Sequence, residues 1–227
     1  MIRLLLFAGL SSALLAGALD SQKAPAENTA LPVVTFTLDF PQSDPEHYSI
    51  RVANDGHASY DSSEKPSPES EQAETFHFNF TLGEVSRRKI FDLAAQARYF
   101  QSHVESKHRV ASTGTKILAY RDAQRSNQTT YNYSQIPAVQ ELTNLFQNMA
   151  QTLEFVRRLQ YDYRYQKLAL DEELKRMEEM AKTNTVSEMQ AAEPILKQIA
   201  ADPSVINVVR ARAQRLAALA QGNPATR

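Results

Sequence analysis

The chain has 227 residues, with 25 lysines and arginines against 26 aspartates and glutamates, six glycines and no cysteine or tryptophan. Without cysteine it forms no disulfide, no thiolate metal site and no catalytic cysteine centre. Its glycines are too scattered for a phosphate-binding loop, and a formal charge of -1 argues against a dedicated nucleic-acid-binding protein. We therefore expect no cofactor and no nucleic-acid partner.

Residues 1–18 have the three parts of a secretory signal peptide. Arg3 precedes an apolar run that ends at Leu15, and the small residues Ala16 and Ala18 follow. The run is shorter than the about 20 residues that span a bilayer. We expect cleavage after Ala18, export to a bacterial periplasm or the exterior, and no membrane span in the remainder. The alternative is that the leader stays attached as an anchor helix.

The small, polar and proline-containing residues at 19–32 predict a flexible lead-in before the first strands. Alternating apolar and polar residues predict strands at 33–40, 47–53 and 57–61. Asp55-Gly56 stands between the second and third of these, and glycine readily takes the positive φ that a tight hairpin turn needs. Gly56 is thus the glycine with the clearest structural role.

Residues 61–74 contain five acids, two prolines and no large apolar residue, which predicts a mobile acidic loop. A strand follows from Phe76 to Leu82, and apolar residues at helical spacing predict a helix over 84–101. Lys116–Tyr120 and Thr129–Tyr133 flank a polar tip and predict a second hairpin. Together these elements predict a domain over 33–136, an antiparallel sheet of five or six strands with one packed helix.

A long helix is predicted over 137–182, with Pro137 in its first turn. Apolar residues recur there every seven positions: Leu142, Met149, Val156, Tyr163, Leu170 and Met177. The residues four positions after each of these form a second set on the helix. This set is apolar at both ends and polar in the middle, at Gln160 and Lys167. An apolar helix face of about 45 residues would be roughly 65 Å long. Its far end needs another element to pack against.

The residues at 183–221 predict that partner, a small helical cap folded against the long helix. One helix is expected over 186–201, kinked or restarted at Pro194. Asp202-Pro203 has the cap and first-turn proline of a last helix, and we expect residues 222–227 to form a tail. The predicted fold class is α+β: a sheet domain, a long helix and a helical cap.

Two successive hairpin–helix units, Tyr48–Phe100 and Lys116–Phe155, resemble a class of uncharacterised exported bacterial domains. The resemblance rests on a strand ending in Asn54-Asp55-Gly56, the Ile90–Phe100 helix, and the helix start Pro-Ala-Val-Gln-Glu-Leu at Pro137. It covers about half of the chain and implies a fold but no catalytic residue. The chain differs from those domains because it lacks their cysteine pair before the first strand.

About 30 residues from Pro194 through Asp202, Val209-Arg210 and Leu216 resemble one unit of a HEAT-type helical repeat. There is no second copy, and such units need neighbours to bury their faces. The resemblance therefore implies a helical pair rather than a solenoid.

The long helix carries the strongest functional signal. Tyr161 and Tyr165 are four residues apart and share a helix face near Arg157 and Arg158. Tyrosine and arginine are enriched in protein–protein interfaces. These four residues predict either an interface, with a protein partner or by self-association through the long helix, or packing against the chain's own hairpin domain.

A second candidate surface is basic. Nine lysines and arginines against three acids fall within 87–125, and its first members are Arg87, Arg88, Lys89 and Arg98. This surface could bind an anionic partner such as a cell-envelope polymer. Alternatively, the acidic loop at 61–74 and ordinary surface screening neutralise it.

Catalytic signals are sparse. His103 and His108 flank Glu105, but they are five residues apart, whereas two ligands on one helix face need three or four, so we expect no metal site. We favour a non-enzymatic binding or protein-interaction module. One alternative is a cell-envelope hydrolase whose histidines and carboxylates are joined only by folding. Another is an inhibitor that binds through the hairpin tips.

Overall fold

The computed structural model describes residues 31–41, 43–64, 73–108 and 110–222. The predicted leader, nearly all of the lead-in, the centre of the acidic segment and most of the tail lie outside these ranges.

Six antiparallel strands form one sheet with the order β4-β3-β2-β1-β5-β6. They are β1 (Val33–Asp39), β2 (His47–Ala53), β3 (His57–Glu64), β4 (Glu74–Thr81), β5 (Thr115–Arg121) and β6 (Ser126–Tyr131). This confirms the predicted antiparallel sheet and places β1 at its centre, paired with β2 and β5. The edges are β4 and β6.

Alternation along the strands buries one face of the sheet. Phe36, Ile50 and Leu118 are fully buried, whereas Thr37, Arg51 and other alternate residues lie on the opposite face. Phe36 also stacks on Phe146 of the following long helix, with ring centroids 5.3 Å apart. The apolar face of the sheet is therefore covered by helix, as the period-two pattern requires.

The acidic segment is shorter than predicted. β3 continues to Glu64 and β4 begins at Glu74, so both ends of the predicted loop at 61–74 belong to strands. Ser62 lies opposite Phe76 in the register and is buried. Composition missed this extension because the polar side chains there find partners in the fold rather than burying apolar surface.

The second hairpin is also shifted. β6 runs from Ser126 to Tyr131 rather than over the predicted Thr129–Tyr133, so the tip is 122–125. Asp122 Oδ1 accepts hydrogen bonds from the backbone N–H groups of Gln124 (2.8 Å) and Arg125 (2.6 Å). An Asx turn of this kind fixes the position of the tip.

The first helix, α1 (Glu84–Gln96), ends five residues before the predicted boundary. A short 3-10 turn follows, in which Arg98, Tyr99 and Phe100 have φ between 52° and 61°. This turn buries Phe100 and sets the Tyr99 ring 4.6 Å from that of Tyr120. Tertiary packing of these aromatic rings stops the helix, although helical spacing continues in the sequence.

The predicted long helix is divided in two. α2 (Pro137–Tyr165) is separated by a four-residue turn from α3 (Leu170–Lys182), which folds back along it. The reversal is shown by an ion pair between Arg158 and Glu173, and by a bond from Ser187 N–H to Asn148 C=O at 3.3 Å. The prediction of one helix over 137–182 is therefore wrong, and a helical hairpin takes its place.

The heptad pattern concealed this turn. Leu170, Leu174 and Met177 are fully buried, so α3 presents its apolar side to the same core as α2. Two helices that bury one face each, joined in phase, give the same seven-residue repeat as one helix. The polar residues Gln160 and Lys167 in the second row mark the place where the chain reverses.

The cap consists of a 3-10 turn at Met189–Ala192, α4 (Glu193–Ala201) and α5 (Asn207–Ala220). Pro194 lies in the first turn of α4, as predicted. The last helix, however, begins at Asn207 rather than at Asp202-Pro203. Asp202 instead closes the preceding turn, where Oδ1 accepts the Ser204 N–H at 2.8 Å and C=O accepts the Val205 N–H.

Two groups of buried side chains share α2. The sheet core joins the inward strand residues to α1 and the first half of α2, for example through Phe36 and Phe146. The helical core joins the second half of α2 to α3, α4 and α5, for example through Leu159 and Ile199. The end of α2 thus extends from the sheet core toward the helical cap.

Candidate functional site

One side of the end of α2 faces a cleft of about 590 Å³ beside β3 and β4. Glu154, Arg158, Tyr161 and Tyr165 succeed one another at spacings of three or four residues, so they lie along one side of the helix. All four predicted interaction residues line this cleft: Arg157, Arg158, Tyr161 and Tyr165. Sheet residues complete the wall, among them Ser62, Glu64, Glu74, Thr75 and Phe76.

A buried carboxylate lies beneath the cleft. The side chain of Glu154 is 4% exposed. Its Oε1 accepts hydrogen bonds from the hydroxyls of Tyr60 (2.5 Å) and Ser62 (3.2 Å), both on β3. A charge at this depth is tolerated only when it is hydrogen-bonded and paired. The Glu154 carboxylate also raises the pKa of Tyr60 well above its ordinary range, after burial as the larger cause.

Arg157 balances the buried carboxylate and reaches the mouth of the cleft. Its Nε donates to Glu154 Oε2 at 2.7 Å, and its Nη2 donates to Glu64 Oε2 at 2.9 Å. Asp44, from the β1–β2 connection, lies 3.5 Å from the same Nη2. The guanidinium thus joins α2 to β3 and to the connection before β2.

Arg158 ties the same stretch of α2 to α3. Its Nε donates to Glu173, and its guanidinium lies 5.0 Å from the centre of the Phe155 ring. Its Nη2 is buried and has no hydrogen-bond partner among the described residues. A buried donor without an acceptor costs free energy, and this cost falls on the side chain that joins α2 to α3.

The outer part of the site is aromatic and exposed. The Tyr161 and Tyr165 rings are 53% and 62% exposed, and their centroids are 5.1 Å apart. Arg164 lies 5.2 Å from the centre of the Tyr165 ring. Leu168, in the turn after α2, is 89% exposed. More than half of the surface of each of the three residues Tyr161, Tyr165 and Leu168 is open to solvent.

The acids of the cleft carry an electrostatic penalty. Burial raises the pKa of Glu64 above its ordinary value, and neighbouring Asp44 adds to the effect while Arg157 opposes it. Burial also raises the pKa of Asp162, with a further contribution from Glu173 and an opposing one from Arg158. In both cases burial is the larger cause, and the neighbouring acid adds to it.

A sheet edge borders the cleft. Leu82 N–H donates to Gly56 C=O at 2.9 Å, and the β3–β4 register continues from that pair. Because antiparallel strands alternate bonded and non-bonded pairs, Phe76 and Phe78 direct their backbone groups to β3. Thr75 and His77 direct theirs away from the sheet, where no described strand lies beside them.

The predicted basic surface is largely paired within the fold. Arg87 donates to Asn54 C=O at 2.7 Å, Arg88 pairs with Glu84, and Lys89 pairs with Glu141 at 2.6 Å. Arg98 is exposed in the 3-10 turn after α1. Three of the four predicted basic residues therefore contact groups of the sheet and helices. The sequence analysis had instead expected the acidic loop to neutralise their charge.

None of the histidine side chains lines the cleft in the described structure. Two of them form cross-strand pairs on the open face of the sheet, His47 with Asp39 at 2.5 Å and His77 with Asp61 at 2.6 Å. His57, His103 and His108 are exposed. Glu105 accepts the backbone N–H of Asn132 at 2.6 Å, so it fastens a loop rather than joining a histidine. No observation here favours the hydrolase alternative.

Sequence reasoning identified the arginines and tyrosines, and placed Asp162 beside the tyrosines, but missed Glu154, Tyr60 and Glu64. Tyr60 and Ser62 are buried and alternate with more exposed residues along β3. This alternation was the signal in the sequence that a polar group of another element would contact their hydroxyls. Glu154 gave no such signal, because one acid in a charged helix is ordinarily solvated. Its burial depends on how α2 crosses the sheet.

Neither a metal-binding cluster nor a membrane-spanning helix occurs within the described ranges. These residues contain no cluster of three or more histidine or acidic side chains arranged to hold a metal ion. Nor does any helix there combine the length and the apolar composition needed to cross a bilayer.

Comparison with known proteins gives no further assignment. No protein-family model matches the chain, and no curated protein matches it.

Proposed function

We propose that the chain is an exported, non-enzymatic protein-interaction module that binds its partner at the cleft beside the end of α2. The observation that carries the proposal is the exposed pair Tyr161 and Tyr165 above the fixed arginines. Such a pair lies ready for a partner, since tyrosine supplies large contact area at little cost in conformational entropy.

The surroundings of the pair support the same conclusion. Arg157 and Arg158 are held by ion pairs to four different acids, so the polar wall is already ordered before a partner arrives. An ordered wall loses little side-chain freedom on binding, which favours affinity. Exposed Leu168 extends the apolar rim beyond the cleft.

The proposal is tested by affinity capture from the envelope fraction of the source organism. We expect a partner that wild-type protein retains and that Tyr161→Ala/Tyr165→Ala loses by at least tenfold. Tyr133→Ala is the matched control, because Tyr133 is 39% exposed at a distant site. A partner held equally by all three proteins would contradict the proposed site.

Self-association is the other form of partnership that this surface permits. Light scattering of the wild type and the tyrosine double variant separates it from binding to a different protein. A dimer lost in the double variant would identify a second copy as the partner. A strict monomer that captures no partner would overturn the interaction proposal.

Export is proposed from the leader pattern at 1–18. Expression in a bacterial host with a Sec pathway should give a mature form that begins at Leu19. N-terminal sequencing of the periplasmic or medium fraction checks this. Protein that starts at Met1 and stays with the membrane would favour the retained anchor.

A further inference from the structure

The cleft and its immediate supports contain twice as many carboxylates as guanidinium groups. The six acids are Asp44, Glu64, Glu74, Glu154, Asp162 and Glu173, against the three arginines Arg157, Arg158 and Arg164. The two inner arginines already donate hydrogen bonds within the fold: Arg157 donates to Glu154 and Glu64, and Arg158 donates to Glu173. The unbalanced charge is therefore negative. Of the acids that carry it, Asp162 is half-buried, whereas Asp44 and Glu74 are exposed.

The edge of the sheet determines how a peptide would enter. A strand added to β4 would bond to the outward backbone groups of Thr75 and His77. Side chains of directly opposed residues lie on the same side of a sheet. The residue opposite Phe76 would therefore extend from the edge strand toward α2, where Tyr161 and Asp162 line the cleft.

We propose that the partner supplies an extended segment that pairs with β4 and inserts one lysine or arginine into the cleft. This inference rests on the proposed function and names the chemistry of its partner. The cation is received by the carboxylates of Asp162, Glu64 and Asp44 and by the exposed face of Tyr161.

The same geometry disfavours an acidic or uncharged insert. An added carboxylate would meet the surplus of three negative charges, because the two inner arginines are already paired. An apolar insert would cover the carboxylates without replacing their water, which costs free energy. Charge complementarity therefore selects a cationic side chain from the segments that could pair with the edge.

A display selection with random heptapeptides on the wild-type chain tests this inference. We expect the selected peptides to be enriched in lysine or arginine at one position. Replacing that residue with norleucine in the synthesised peptide should weaken binding by about tenfold. The variant Asp44→Asn/Asp162→Asn should show the same loss, whereas Asp92→Asn/Glu172→Gln, which removes two exposed acids elsewhere, should not.

The strand-pairing step has its own matched pair of variants. Thr75→Pro removes an outward N–H of β4 without removing a bond to β3, so the sheet is preserved. Gln128→Pro makes the same change on β6, the opposite edge. We expect at least tenfold weaker peptide binding for Thr75→Pro and unchanged binding for Gln128→Pro, with circular dichroism confirming that both proteins fold.

The outcomes separate the inference from the function on which it rests. Peptides that lose binding with Tyr161→Ala/Tyr165→Ala but contain no enriched cation overturn the inference and leave the proposed function standing. Peptides that bind the tyrosine variant as well as wild type overturn both. Equal binding by Thr75→Pro and Gln128→Pro overturns the added strand.

Discussion

Glu154 is the residue on which the geometry of the cleft depends. Its carboxylate receives the Tyr60 and Ser62 hydroxyls on one oxygen and Arg157 on the other. Removing the acid leaves a partly buried guanidinium and two hydroxyls without their acceptor, which is the costly way to break such a pair.

We expect Glu154→Leu to lower the free energy of unfolding by about 2–4 kcal/mol. Urea denaturation at neutral pH measures the change. The control is Glu141→Gln, which removes an exposed partner of Lys89 and should cost less than about 1 kcal/mol. Similar losses in the two variants would show that the Glu154 network contributes no more than a surface pair.

Gly114 is the glycine whose absent side chain matters most in the described structure. A Cβ there would lie 2.7 Å from Phe40 Cβ and 2.9 Å from Asp39 O, and φ is +89°. Gly56, the glycine that sequence reasoning singled out, has φ of +94°, but a Cβ would come no nearer than 3.7 Å to a neighbour.

Gly114→Ala should therefore destabilise the chain by about 2–4 kcal/mol, since steric overlap adds to the cost of a positive φ. Gly56→Ala should lose only the conformational part, about 1 kcal/mol. Thermal and urea unfolding of the two variants give the comparison. A larger loss at Gly56 would contradict the role assigned to close packing at Gly114.

Asp202 makes stability depend on pH. Lys167 Nζ lies 2.7 Å from its Oδ2, and this contact, followed by the N–H and hydroxyl of Ser204, holds the pKa of Asp202 well below its ordinary value of 3.8. A carboxyl whose folded-state pKa is lowered stabilises the fold above its unfolded pKa, and that stabilisation disappears as the pH falls through the folded pKa.

We expect Lys167→Gln to be less stable than wild type at neutral pH, by an amount that shrinks as the pH falls below about 4. Urea midpoints across the acid range measure the difference. In an Asp202→Asn background the same substitution should have a pH-independent effect. A difference that grows on acidification would contradict this linkage.

At the level of elements, the α2–α3 hairpin distinguishes this fold from the helix predicted by periodicity. Spin labels at Asn144 and Glu179 would be about 52 Å apart along one continuous helix at 1.5 Å per residue. In the hairpin we expect less than about 30 Å, because α3 returns toward the middle of α2. The absence of native cysteine makes such labelling specific.

Double electron–electron resonance measures the distance between the labels at Asn144 and Glu179. A second pair at Asn144 and Gln160, both within α2, should give about 24 Å whether or not the helix turns. A distance near 52 Å for the first pair, together with about 24 Å for the second, would contradict the hairpin and support one continuous helix.

The elements show which parts of the fold sequence patterns could reach. Strands such as β2 were predicted at their true bounds because one face of the strand is buried and the other is exposed to solvent. The alternation of apolar and polar residues follows directly from that difference. The turn after Tyr165 was missed because a repeat of seven records a buried side but not the direction of the chain. The cleft was half predicted. Its tyrosines and arginines follow from composition and spacing, whereas the contacts of Glu154 with β3 and of Asp44 with Arg157 depend on tertiary structure.

At the scale of the whole molecule, α2 couples the sheet core to the helical core. Leu196 is fully buried in the helical core, and Leu196→Ala should cost about 2–5 kcal/mol. Because α2 belongs to both cores, we expect hydrogen exchange to accelerate in the sheet as well, at residues such as Ile50.

Hydrogen exchange with mass spectrometry measures both regions at once. Leu219→Ala, at a position 40% exposed, should change neither by more than about 1 kcal/mol. Faster exchange confined to α3, α4 and α5 would show that the two cores open independently.

The central place of β1 also determines the order in which the sheet can form. β1 meets β2 across a short connection, but its other neighbour, β5, is about 80 residues away in sequence, and long loops are slow to close. The four strands from β1 to β4 follow one another through consecutive antiparallel pairs and can assemble from nearby chain, as can the β5–β6 hairpin. The folding barrier should therefore lie at the joining of β1 to β5, after α1 has brought the hairpin back. Substitutions at Phe36 or Leu118, which face each other across that pair, should slow folding more than they speed unfolding.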